Sequence, residues 1–161
     1  MKTLVLIRHA TAETRNNSVD YLRRLTQKGK DESKEMAVKL FGIVKNPGAI
    51  ISSSANRAFE TAEIFAKQFD FCESKIMKDR MMYDSSLAYL ISRVTGLDKA
   101  YHTVFLAGHN PEITLAVNYF CRDMLSSLPK CGFAVIKFEL DDWIAISRES
   151  GILQSIEYPK K

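Results

Sequence analysis

The sequence predicts an α/β sandwich in which a largely parallel sheet is covered on both faces by helices. Two observations carry this prediction. Short β-like segments alternate with stretches of helical period almost to the end of the chain. The first strand is a continuous apolar run, "LVLI", as expected of a strand buried on both faces. With 161 residues and neither an internal repeat nor a biased linker, the expectation is one domain spanning 1–161.

The elements follow in order. Thr3–Ile7 reads as the first strand. A mostly polar connection, Thr14–Arg24, comes next and is longer than usual, a mobile loop or an active-site lid. Thr26 is placed to N-cap a helix through Glu32, Met36, Ala37, Leu40 and Phe41, which "GIVKNPG" stops. Ala49–Ser52 is a second strand, and Ser54 is placed to cap a helix with the stripe Phe59, Ala62, Phe65, Ala66 and Phe69. Leu87, Leu90, Ile91 and Val94 have the i, i+3, i+4, i+7 spacing of a third helix. Thr103–Ala107 is a strand, followed by Asn110 and Pro111 as the N-cap and N1 pair of a helix through Ile113, Ala116, Val117 and Phe120. At the end, Phe133–Leu140 and Trp143–Ser147 flank "DD" and predict an edge hairpin.

Composition narrows the function. The chain is 46% hydrophobic and 26% charged, and no apolar run approaches the ~20 residues of a membrane span. The apolar part of "MKTLVLIRHA" is too short for a signal-peptide core, which predicts a cytoplasmic protein. Cys72, Cys121 and Cys131 lack metal-ligand spacing and read as reduced thiols. A net charge of +4 can help collect anions, but the basic residues are scattered and no nucleic-acid motif is present. Oligomeric state has no signature in the sequence.

In open α/β sheets, ligands bind beyond the carboxyl ends of the strands. Arg8 and His9 follow the first strand, Ser52–Arg57 the second, and Gly108–His109–Asn110 the third. Guanidinium groups bind phosphate bidentately and stay charged, so Arg8 and Arg57 together mark a dianion. Arg57 lies in the first turn of its helix, where the dipole also favours an anion. One imidazole can attack phosphorus while another donates a hydrogen bond or a proton. His9 and His109 with these arginines suffice for phosphoryl transfer through a covalent phosphohistidine. No Mg²⁺ cluster or P-loop points to nucleotide-driven chemistry.

These residues carry a resemblance. "LIRHATAE" resembles the R-H-x-x-A-E opening of the histidine phosphatase superfamily, in its SixA-type phosphohistidine phosphatase branch. "RRLTQKG" is similar to that branch's R-x-L-T-x-x-G, "SSSANRAFETA" to its S-S-x-x-x-R-A-x-x-T-A, and "LAGHNPEI" to its V-G-H-N-P. The resemblance implies a three-layer α/β/α, phosphoglycerate-mutase-like sandwich without metal or organic cofactor. It also implies His9 as nucleophile, Arg8 and Arg57 as phosphate clamps, and His109 as the second catalytic histidine.

Three positions depart from the wider superfamily. Ala10 stands where glycine usually follows R-H, and Ser54, three before the arginine, is only a candidate phosphate contact. "MMYDSSLAYL" lacks the acidic pattern in which mutases and many sugar phosphatases keep a general acid. An ester needs its alkoxide protonated, whereas a phosphoramidate can leave as neutral imidazole after protonating its own ring. The expected substrate is therefore a phosphohistidine-containing phosphotransfer protein, with a small phosphorylated metabolite or a non-catalytic phosphate-binding role as rivals. Asp84 and Glu13 are the candidate substitutes for the acid. His102, Arg23, Thr26, Thr61 and Trp143 read as structural.

Overall fold

Six strands form one sheet: β1 (Lys2–Arg8), β2 (Ala49–Ser53), β3 (Met77–Asp79), β4 (Thr103–Gly108), β5 (Phe133–Phe138) and β6 (Ile152–Glu157). In the computed structural model, which describes residues 1–15 and 19–161, they lie in the order β3-β2-β4-β1-β5-β6. The first four run parallel, while β5 is antiparallel to β1 and β6 to β5. Four helices accompany them: α1 (Gln27–Phe41), α2 (Asn56–Gln68), α3 (Leu87–Thr95) and α4 (Glu112–Phe120).

Alternation along β1 divides the core. Val5 and Ile7 pack with Met36 and Leu40 of α1 and with Phe65 and Ala66 of α2. Leu4 and Leu6 belong to the opposite cluster, with Leu90 and Val94 of α3, Val117 and Phe120 of α4, and Trp143. Helices therefore cover both faces, the layering the sequence predicts. The register pairs Arg8 of β1 with Gly108 of β4 and Ser52 of β2 with Ala107, so three carboxyl ends adjoin.

Several predicted details change. The strand predicted at Trp143–Ser147 is instead a 3₁₀ turn at Trp143–Ala145, and the partner of β5 is Ile152–Glu157. Trp143 is fully buried and its indole N–H donates to the Tyr101 carbonyl at 2.9 Å, a demand that an edge strand cannot meet. The three-residue β3 is too short to show a period. Ser54 does not cap α2; the N-cap is Ala55, whose N–H donates to Ser53 Oγ at 3.3 Å. Pro111 precedes α4, although Asn110 Oδ1 accepts the Thr114 N–H one turn in. The long connection holds a 3₁₀ turn at Asp20–Leu22, and its residues 16–18 lie outside the described ones.

Candidate active site

The site begins at the end of β1. The His9 N–H donates to the Gly108 carbonyl at 3.0 Å, and the His9 carbonyl accepts from Cys131 at 3.1 Å. Its ring Nδ1–H donates to the Ala10 carbonyl at 2.8 Å. A carbonyl can only accept, so this contact fixes the tautomer and leaves Nε2 with its lone pair. His9 is 9% exposed. Burial pushes its pKa down to about 3; the bond to Ala10 resists, and the charges of His109, Arg57 and Arg8 add to the fall. Near neutral pH the ring is uncharged.

Two residues hold the backbone beside it. The Ala10 N–H donates to Thr61 Oγ at 3.1 Å, and the Thr61 hydroxyl donates to the Arg57 carbonyl at 2.7 Å, tying His9's neighbour to α2. Gly29 in α1 approaches so closely that a Cβ there would lie 2.1 Å from the Thr11 carbonyl oxygen. Thr26 caps α1 by accepting from Gly29 and donates its own N–H to Thr11. The "RRLTQKG" motif thus clamps the segment that follows His9.

The ring of His109 lies 5.3 Å from that of His9, centroid to centroid, at the end of β4. Its Nε2 is 2.8 Å from Ser53 Oγ. Ser53 Oγ accepts from Ala55 and keeps a hydrogen and a second lone pair, so the contact is compatible with either ring tautomer; in the one where Nε2 accepts from Ser53, Nδ1 is an N–H donor. Burial lowers the His109 pKa to about 4; Arg57 reinforces the shift and Asp20 opposes it.

Arg8 donates Nη1 to the Leu128 carbonyl at 2.9 Å. Arg57, buried in the first turn of α2, donates Nη1 to the Asp20 carbonyl at 2.8 Å and Nη2 to Asp20 Oδ2 at 3.1 Å. Among the described residues, four buried side-chain polar atoms lack a partner, and three of them are Arg8 Nε, Arg57 Nε and His109 Nδ1. Buried donors rarely stay unpaired. Three in one site, on two guanidinium groups and an imidazole, suit the oxygens of a phosphoryl group.

Asp20 was not singled out from the sequence. Its Oδ2 accepts from Arg57 and from the Tyr83 hydroxyl at 2.7 Å, and its Oδ1 accepts from Arg23 at 3.0 Å. The Tyr83 hydroxyl, then Arg57 and Arg23, outweigh desolvation and hold its pKa at about 2. No local signal marks its place in the site, since Arg57 and Tyr83 lie 37 and 63 positions away and only Arg23 is near in sequence. A cavity of about 330 Å³ is lined by Arg15, Asp20, Arg57, Tyr83, Asp84, His109 and Glu112, among others.

Asp84 thus reaches the cavity, whereas Glu13 is exposed, accepts from the Arg24 N–H at 3.2 Å and does not line it. Ser54 accepts the Tyr21 hydroxyl at 2.6 Å, and Arg23 also donates to the Glu13 carbonyl. His102 is exposed, at the amino end of β4. Among the described residues, no group of three His, Cys, Asp or Glu side chains is arranged to hold a metal ion.

The sequence model of the histidine phosphatase superfamily (branch 1) matches residues 4–81, which carry Arg8, His9 and Arg57. The matched stretch, just under half of the chain, is what is similar to the histidine phosphatase superfamily. No curated protein matches it by sequence. Solved structures of phosphatases share its fold along nearly the whole chain. A protein assigned as phosphohistidine phosphatase SixA from Agrobacterium tumefaciens is 22% identical with a TM-score of 0.84, and the match covers 98% of each chain. Protein histidine phosphatase SixA complexed with tungstate is 19% identical, TM-score 0.82, covering 97% of this chain and 96% of that one. A mycobacterial glucosyl-3-phosphoglycerate phosphatase is 14% identical, TM-score 0.65, with 95% and 97% covered. The sandwich is of the phosphoglycerate-mutase-like kind. No helix among the described residues is long and apolar enough to cross a membrane.

Proposed function

We propose that the chain is a phosphatase that works through a phosphohistidine on His9 and acts on phosphohistidine in a phosphotransfer protein. The similarity of residues 4–81 to the histidine phosphatase superfamily supports the phosphatase activity. The observation that carries the mechanism is the His9 tautomer: the bond from Nδ1 to Ala10 leaves Nε2 as an uncharged nucleophile beside three unpartnered donors. Nε2 attacks phosphorus, and the electron pair of the breaking bond goes to the leaving nitrogen. Arg8, Arg57 and His109 hold the transferring oxygens, supplying charge stabilisation where it develops. Water then hydrolyses phospho-His9 and releases phosphate. The free thiols Cys72, Cys121 and Cys131 fit a cytoplasmic setting.

A second reading keeps the chemistry and changes the substrate to a small phosphate monoester. Asp84 and Glu112 at the cavity favour it, since either, in its carboxylic acid form, could protonate an alkoxide. Hydrolysis of a phosphohistidine phosphocarrier protein, of p-nitrophenyl phosphate and of sugar phosphates, compared without metal and with His9→Ala as control, separates the two. Turnover of the phosphocarrier above the esters, abolished in the variant, is expected. Preference for an ester would select the second reading. Phosphate binding with no turnover would leave a binding module.

A further inference from the structure

The mechanism above leaves Asp20 without a task, although it occupies two donors of Arg57. We propose that Asp20 is a specificity-determining residue whose carboxylate accepts the ring N–H of a protonated phosphohistidine, selecting a leaving group that departs as neutral imidazole over one that departs as alkoxide. The inference rests on the phosphohistidine reading and names the group that would enforce it.

The placement follows from the cavity lining. Asp20 lines the same cavity as Arg57 and His109, two of the groups taken to hold the phosphoryl oxygens, so a leaving group lodged in that cavity meets its carboxylate. A carboxylate offers about four acceptor positions. In the resting chain these are taken by Arg57 and Tyr83 on Oδ2 and by the Arg23 fork on Oδ1. When Arg57 turns its open Nε and the neighbouring Nη2 onto a phosphoryl group as a bidentate fork, one position on Oδ2 falls open. A protonated phosphoimidazole fills it with its second ring N–H. An ester has no such donor and leaves an unpaired anion facing its developing alkoxide.

The step balances. The His9 Nε2 lone pair forms the new N–P bond, and the pair of the old N–P bond becomes the lone pair of the leaving nitrogen. The second ring nitrogen of the substrate keeps its hydrogen throughout. Asp20 is never protonated, in keeping with a carboxyl held at about 2, which is far too acidic to donate a proton near neutral pH.

The test compares kcat/KM for free phosphohistidine and for p-nitrophenyl phosphate in the wild type, Asp20→Asn and Asp20→Ala. Loss of one charge-assisted hydrogen bond should lower the phosphohistidine value by about ten- to a hundredfold. The p-nitrophenyl phosphate value should rise, because Arg57 is released and the repelling charge removed. Inorganic phosphate should bind both variants more tightly, which also reports a folded site. An equal fall on both substrates would overturn the proposal and make Asp20 a prop for Arg57; no change on either would overturn it as well. A wild type that hydrolyses the ester but not phosphohistidine would instead sink the phosphohistidine reading, and this inference with it.

Discussion

The two ends of β1 are built from similar materials to opposite effect. At its start, Lys2 is 1% exposed and its ammonium donates to the Lys99 and Tyr101 carbonyls, beside the Trp143 ring at 5.7 Å. At its finish, His9 is buried and Arg8 half-buried, yet the buried Arg8 Nε has no partner, nor do Arg57 Nε and His109 Nδ1 close by. At one end the buried ammonium has its partners within the chain and holds the fold together. The other is an incomplete set, which costs stability until an anion completes it. Buried cations therefore divide by whether their donors are satisfied within the chain.

The largest expected effect breaks the incomplete end. His109→Asn removes the imidazole proposed to donate to the transferring phosphoryl group, and kcat on p-nitrophenyl phosphate should fall by about 10²–10³. The midpoint of urea unfolding should hold or rise, because the variant discards a buried group with an unpaired atom. A collapse of stability with kcat preserved would reverse the contrast between the two ends.

Next in size is the pH dependence of stability. An unfolded chain protonates His9 and His109 near pH 6.5, while the folded chain waits until about 3 and 4. Between those limits the unfolded state binds more protons, so stability is full above pH 6.5 and is lost as the pH falls. The slope is about 1.4 kcal/mol per pH unit for each histidine once well below pH 6.5. Urea titrations from pH 7 to 5 should show it, and the double variant His9→Asn/His109→Asn should flatten it. Equal slopes in both chains would mean that the two rings are not held neutral by the fold.

Residues that follow a strand were easier to foresee than residues whose role is set across elements. Arg8, His9, Arg57 and His109 were legible because each follows a strand in a short run of its own, and strand ends in a parallel sheet converge. The helices were legible from period and caps, Thr26 most plainly. Asp20 and Ser53 were not, because their roles are set by side chains on other elements, and a polar residue in a polar stretch has no period to break. Trp143 misled for a related reason: an apolar run beside "DD" reads as a strand until the Tyr101 carbonyl that receives its N–H is in place.

The smallest effect concerns the complete end. Lys2→Met keeps the buried stem but takes the donor from the Lys99 and Tyr101 carbonyls, the second of which retains its bond from Trp143. Leaving buried acceptors short costs about 1–3 kcal/mol. The unfolding midpoint should drop accordingly. Activity should not change, because Lys2 lies six residue steps, about 20 Å, up the strand from Arg8. The comparison with His109→Asn is then a crossed pair, one substitution lowering stability alone and the other lowering turnover alone. A loss of kcat in Lys2→Met at unchanged stability would show that strain passes along β1 to His9, and the two ends would have to be treated as one coupled unit.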